Sequence, residues 1–310
     1  MRVLFWGTPD FAVPALRALV EEGFDVLGVV TQPDRPQGRS RTRLVPPPVK
    51  TAAIAEGIRV LQPEDPRAPD VLREVADIGA DVSAVVAYGH ILPRAILDAP
   101  PRGTFNVHAS LLPALRGAAP IPAAIRQGLT QTGVTVIRLI PALDAGPILL
   151  QRPVAIAADE TGGELQLRLS ELGAQALVEA LTLIEVGATV ESPQDDAAAT
   201  YAPKIDRTQT RIAWADPADA VARSIRAFDP KPGAFTTARG AEVKCFDAQP
   251  TSDAPGGAPG EVTAIGPEGL AVACGAGAVR IAQVQPAGRP RMSADAWARG
   301  RGVAVGDRLG

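Results

Sequence analysis

An asparagine and a histidine two positions apart, Asn106 and His108 in the run FNVHASLLP (105–113), could together manage a carbonyl as it turns tetrahedral. In an extended strand, residues i and i+2 project from one face, ~6.6 Å apart along the chain. The amide of Asn106 can donate to a developing oxyanion. The imidazole of His108 can donate or accept a proton near neutral pH. Phe105 and Val107 then fall on the opposite face. A third polar group follows in PALDAG (141–146), where Asp144 lies in a loop after an apolar run. A carboxylate beside His108 would favour its charged form and orient its ring. The residues alone leave a second reading open, in which Asn106 and His108 bond nearby backbone and Asp144 forms a turn.

The elements that must position these groups read as an α/β domain. Residues 3–6 are a short apolar run ended by Gly7, the pattern of a buried strand. Thr8-Pro9-Asp10 can open a helix, with Pro9 suited to its first turn. Residues 26–30 make a second strand, so the order is βαβ and the sheet is expected to be mostly parallel. Further strands are expected at 82–87, 103–108 and 134–139. Ligands of open α/β sheets bind outside the carboxyl ends of the strands. That rule puts Tyr88, Gly89, His108 and Asp144 on one rim. Thr161 and Glu164 have capping-box spacing, ahead of a long amphipathic helix. Residues 35–48 lack periodicity, are rich in Arg and Pro, and read as a long exposed loop. Residues 190–210 are polar and irregular. Beyond them, brief alternating runs separated by Gly-rich turns suggest a small β-barrel. The expected domains are 1–189, a linker at 190–206, and 207–310.

Composition narrows the function classes. Of 310 residues, 46% are apolar and 21% charged, ordinary for a globular chain. No apolar run approaches the ~18 residues of a membrane span, so no membrane is expected as a partner. The N-terminal apolar run is too short for a signal-peptide core, and a cytoplasmic location follows as an expectation. Two cysteines, Cys245 and Cys274, lack metal-ligand spacing, and no other cluster argues for a metal. No surplus apolar surface is evident, so a monomer is expected. The net charge is −3, yet Arg35, Arg39, Arg41, Arg43 and Lys50 cluster against a single Asp. A local basic patch on an acidic protein can guide a polyanion. GTPDFA (7–12) is not the G-x-G-x-x-G of a dinucleotide fold, which argues against a dehydrogenase.

FNVHASLLPALRGAAPI (105–121), with LDAG at 143–146, resembles the folate-dependent formyltransferases. GTPDFA, TQPDRPQGR (31–39), VVAYGHILP (85–93), TYAPKI (200–205) and QPAGRPRMS (285–293) are similar to the methionyl-tRNA formyltransferase branch of that family, in the expected order. The resemblance implies a Rossmann-like N-terminal domain and a smaller, OB-like C-terminal β-barrel that contacts tRNA. It implies 10-formyltetrahydrofolate as formyl donor and initiator methionyl-tRNA as acceptor. Asn106, His108 and Asp144 match the catalytic positions. Ser110, Leu111, Leu112 and Pro113, with Tyr88, Gly89 and Leu92 opposite, match the folate-contacting segments. Arg35, Arg39, Arg41 and Arg43 are the candidates for the tRNA acceptor end. This chain departs from the family's usual residues at Ala109, Ala114, Leu115, Ala145, Pro147 and His90, and over 137–142. The trio alone does not separate this reading from a formyltransferase acting on a small amine, such as glycinamide ribonucleotide or an amino sugar nucleotide.

Overall fold

The computed structural model describes residues 1–37, 43–252 and 256–310, with Gln37 and Arg43 described by their backbone alone. It divides into two compact units. Unit one comprises Met1–Gly117, Thr132–Val154 and Gln166–Ala202, and unit two Ala118–Gln131, Ala155–Leu165 and Pro203–Gly310.

Unit one starts β1 (Arg2–Gly7), α1 (Val13–Glu21), β2 (Asp25–Val30), β3 (Arg35–Gln37), β4 (Arg43–Val45), α2 (Pro48–Ala55), β5 (Val60–Leu61), α3 (Pro69–Ile78), β6 (Val82–Val86), α4 (Arg94–Leu97) and β7 (Thr104–His108). The chain continues through α5 (Pro120–Arg126), β8 (Gln131–Arg138), β9 (Ile148–Ala155) and α6 (Gly162–Glu185). Seven strands make one sheet in the order β5-β2-β1-β6-β7-β8-β9. From β5 to β7 all neighbours are parallel. Val3, Leu4, Phe5 and Trp6 are all fully buried, which explains why β1 reads as an unbroken apolar run rather than an alternating one. Leu4, Trp6, Val85, Tyr88, Leu92 and Ile96 share a core cluster with Val71 and Val75 of α3. On the other side of β7, Val107 meets α6. A Cβ on Gly173 would lie 2.9 Å from Val107 Cγ1, so helix and strand approach closely there.

Two expectations need correcting. β8 runs antiparallel to β7, with His108 opposite Thr135 and Phe105 opposite Arg138. The carboxyl end of β8 therefore lies at the amino end of β7, not on the rim shared by Tyr88 and His108. Residues 139–147 must fold back over the sheet for Asp144 to reach His108. The second correction concerns the stretch read as an irregular loop at 35–48. It contains an antiparallel pair, β3 with β4, aligned as Arg35 with Val45 and Gln37 with Arg43. Strands of three residues are too short to display a period.

The capping box at Thr161 forms as expected. Thr161 N donates to Glu164 Oε2 at 2.9 Å, and Glu164 N donates to Thr161 Oγ1 at 3.3 Å. Unit two then contains α7 (Ala218–Ala227), β10 (Ala234–Ala238), β11 (Ala241–Thr251), β12 (Val262–Gly266), β13 (Gly269–Ala273), β14 (Ala278–Pro286), β15 (Met292–Ser293) and α8 (Ala294–Arg299). Its strands form an antiparallel sheet in the order β10-β11-β14-β13-β12, with β15 beside β14. The last residues of the chain link its two edges. Leu309 N donates to Gly260 O just before β12, and Gly310 N donates to Thr237 O in β10. Val221, Ile225 and Phe228 pack with Val243, Val272, Ile281 and Trp297 to form its core. No helix among the described residues is long and apolar enough to cross a membrane.

Candidate active site

Strand alternation puts Asn106 and His108 on the face of β7 opposite Phe105 and Val107. His108 is 6% exposed. Its Nε2 lies 2.9 Å from the carbonyl oxygen of Leu115. A carbonyl can only accept, so Nε2 carries a proton, and in the neutral ring Nδ1 is left with its lone pair. Nδ1 faces Asp144 Oδ2 at 3.7 Å. This is ion-pair range, longer than a hydrogen bond. The backbone of the 113–117 turn, rather than Asp144, thus orients the imidazole.

Asp144 sits in the left-handed region at φ +48. Its Oδ2 accepts the amide hydrogen of Gly117 at 2.8 Å. Oδ1 accepts no hydrogen bond among the described residues. Gly117, at φ +115, leads straight into a close approach, where a Cβ would lie 2.7 Å from Ala202 O. The amide of Asn106 is half-buried and has no partner among the described residues. The trio therefore offers a free amide donor, a ring nitrogen open to a proton, and a carboxylate oxygen without a partner.

The SLLP segment is pinned by two residues absent from the sequence reading. Thr135 Oγ1 donates to Ser110 O at 2.6 Å and accepts from Leu112 N at 3.1 Å. Gln151 Nε2 donates to Leu112 O at 2.8 Å. Both lie on β8 and β9, where they read as ordinary strand positions. Ser110 is buried and its hydroxyl donates to Ala114 O at 2.6 Å, so that donor serves the loop itself. Leu112 is buried, whereas Leu111 and Pro113 are partly exposed.

In the segment after β6, Tyr88 and Leu92 are core residues, Tyr88 packing edge-on to Trp6 with ring centroids 5.1 Å apart. The Tyr88 hydroxyl has no partner among the described residues, and burial pushes its pKa up to about 12. What this segment can offer a ligand is backbone. Gly89 adopts φ +97, and the amides of Gly89, His90, Ile91 and Leu92 donate to no group among the described residues. Ile91 is 77% exposed and Leu143 55%. Free amides around an exposed aliphatic, Ile91, fit a flat heterocycle with hydrogen-bonding edges, as a pterin has. His90 is exposed, and its Nε2 meets Gln32 Oε1 at 3.0 Å. Arg35 Nη2 donates to the same oxygen at 3.1 Å. Arg39 and Arg41 lie outside the described residues, and Arg43 is described only by its backbone in β4. No group of His, Cys, Asp and Glu that could hold a metal occurs among the described residues.

A cavity of about 500 Å³ lies in unit two, lined by Lys204, Arg207, Phe235, Glu242 and Lys244 among others. None of the trio borders it. Its cations are largely partnered, Arg207 by Glu242 and Lys244 by Pro232 O at 2.6 Å.

Comparison with known proteins covers most of the chain. A family model described as formyl transferase matches residues 1–181, and one described as formyl transferase, C-terminal domain, matches residues 204–302. The methionyl-tRNA formyltransferase of Geobacter metallireducens is 43% identical, over 100% of this chain and 99% of its own length. That of Geobacillus thermodenitrificans is 47% identical, over 99% of this chain and 97% of its own. Among solved structures, HypX from Aquifex aeolicus in complex with tetrahydrofolic acid is similar with a TM-score of 0.66 at 22% identity, covering 97% of this chain and 47% of that one. The N-formyltransferase from Helicobacter canadensis, in complex with folinic acid and dTDP-3-aminofucose, has a TM-score of 0.69 at 16% identity, covering 91% and 99%. At such identities the likeness concerns the fold.

Proposed function

The chain belongs to the methionyl-tRNA formyltransferase family, and from that premise we propose that Asn106, His108 and Asp144 form its formyl-transfer centre. The enzyme transfers the formyl group of 10-formyltetrahydrofolate to the α-amino group of methionyl-tRNA. The observation that carries the assignment of the centre is the lone pair of His108 Nδ1, turned toward Asp144 by the Leu115 hydrogen bond.

Asn106 donates to the formyl oxygen as negative charge develops there. A donor aimed at such an oxygen is worth more in the transition state than in the ground state. His108 Nδ1 takes the proton of the attacking amine, and the imidazolium so formed faces the Asp144 carboxylate. As the new C–N bond forms and the bond to the folate nitrogen breaks, His108 returns the proton to that leaving nitrogen. Asp144 Oδ1 is free to hold the amine or a water beside it. The backbone amides of residues 89–92 and the side chains of Leu111 and Pro113 hold the pterin, and Ser110 acts by shaping its loop. Arg35, Arg39, Arg41 and Arg43 receive the acceptor end of tRNA, since guanidinium forks match phosphate. Arg289, Arg301 and Arg308, which form no ion pair among the described residues, are further cations for the tRNA backbone in the 207–310 domain. The acceptor is the initiator tRNA, and the enzyme works as a cytoplasmic monomer.

The test is direct. The protein is mixed with 10-formyltetrahydrofolate and charged initiator tRNA, and N-formylmethionine is measured. Parallel reactions contain glycinamide ribonucleotide or an amino sugar nucleotide. Formylation of the tRNA is expected; formylation of a small amine alone would overturn the reading.

A further inference from the structure

The polar stretch from Glu191 to Ala202 resembles a linker in sequence, yet it is bonded along its length to the turn that holds the His108 ring and to the loop that carries Asp144. Glu191 accepts from Arg138 Nε at 2.9 Å, at the start of the 139–147 loop. Ser192 pairs with Ile148, where that loop ends, through bonds of 2.8 and 2.9 Å. Thr200 Oγ1 accepts from Leu115 N at 2.8 Å, and Thr200 O accepts from Arg116 N at 2.8 Å. Ala202 N donates to Arg116 O at 2.8 Å.

Gln194 is at the centre of this strap. Its Nε2 donates to the carbonyl of Asp144 at 2.8 Å and to that of Gly146 at 2.7 Å. Its Oε1 accepts from Nε and Nη2 of Arg116, at 3.1 and 2.8 Å. These partners define the amide orientation, because carbonyls require a donor and a guanidinium an acceptor. Arg116 is 4% exposed, and its charge is met by Asp196 at 2.7 Å. One side chain thus spans the two backbone segments that hold the Asp144 carboxylate. It fixes the carbonyls on either side of Ala145, and it fixes Arg116, which precedes the amide that bonds Oδ2. The loop needs this support. Asp144 is in the left-handed region, and Gly146 is so close that a Cβ would lie 1.8 Å from Arg138 O.

We propose that Gln194 is a positioning residue for formyl transfer, setting the Asp144 carboxylate against His108. The inference rests on the role given to Asp144 above. Misplacement of a reacting group by about 1 Å can cost on the order of 10²-fold in rate. Gln194→Ala is expected to lower kcat roughly 10- to 100-fold while leaving KM for folate and for tRNA within a factor of about two. Gln194→Glu keeps an acceptor for Arg116 and loses both donors. It is expected to melt somewhat below the parent while staying folded, and to lose turnover as the Ala variant does. In an Asp144→Asn background, Gln194→Ala should cost nothing further, because residues acting as a unit are not additive.

Five proteins, the parent, the three single variants and the double, are compared in single-turnover formylation with melting curves. A full additional loss in the double variant, or unchanged kcat in Gln194→Glu, overturns the proposal. Near-normal turnover in Asp144→Asn instead removes the role of Asp144 itself, and the proposal with it.

Discussion

His108 donates its Nε2 hydrogen to the carbonyl of Leu115, 2.9 Å away. The bond crosses from β7 to a turn in which Leu115 itself adopts φ +60, and it selects one neutral tautomer of the ring. In the proposed mechanism His108 acts through Nδ1 alone. Substitution by Ala is expected to lower turnover by about 10²- to 10⁴-fold, the usual range for loss of a general base. Turnover is read by rapid quench with saturating tRNA. Near-normal turnover in a folded His108→Ala protein would remove the ring from the mechanism.

Asn106 differs in having no partner to lose among the described residues. Its half-buried amide holds nothing else in place, so Asn106→Ala should fold with an unchanged melting temperature. Loss of an oxyanion donor lowers kcat by about 10²- to 10³-fold. Asn106→Asp separates this role from a spatial one. It preserves shape but sets a carboxylate against the developing negative charge, and should be slower than the Ala variant. An Asp variant faster than Ala would show that the amide does not face the oxyanion.

The β7–β8 junction shows what the sequence could and could not convey. Asn106 and His108 are two apart on a strand, so their shared face follows from the pleat alone. The capping box at Thr161 and the apolar run of β1 are equally local signals. The direction of β8 is a long-range property. Nothing in QTGVTVIR distinguishes a parallel from an antiparallel neighbour, and the connection from β7 is long enough for either. The strap at 191–202 was illegible for a related reason. Its Glu, Ser, Gln and Thr side chains look like a solvated linker until their backbone and guanidinium partners are known. Thr135 and Gln151 were missed because a strand residue that bonds a distant loop has no local mark.

Gly146 offers a steric test of the same loop. A Cβ there would lie 1.8 Å from Arg138 O, a backbone atom that cannot rotate aside. Gly146→Ala should destabilise the protein by about 1–3 kcal/mol, as forced overpacking does. It should also lower kcat, because Asp144 moves with the loop. Denaturant unfolding and single-turnover assays measure the two effects. A variant with unchanged stability and rate would show that the loop relaxes freely.

The two thiols are expected to be inert in the folded protein. Cys245 and Cys274 are buried, and burial pushes their pKa values up to about 12 and about 11. The thiolate is the reactive form, so almost none exists at about pH 8. A chromogenic disulfide reagent should report no thiol in the native protein and both after denaturation. Rapid labelling of native protein would contradict the packing of unit two.

Acid should weaken one specific contact in unit one. Arg2 donates to Asp81 through Nη2 at 2.8 Å and through its backbone amide at 2.8 Å. The guanidinium bond is the larger cause that holds the Asp81 carboxyl down at about 2, against an ordinary 3.8. Between these values the unfolded chain binds the proton and the folded chain does not, so stability rises with pH across that window. The contribution is complete above about pH 4 and fades as the pH falls toward about 2. Arg2→Ala keeps the backbone bond and removes the guanidinium. Its unfolding midpoint should trail the parent's at about pH 5, and the gap should narrow steadily on acidification. A gap that stays constant down to the lowest pH would mean that the Arg2 side chain stabilises the fold through packing rather than through the Asp81 charge.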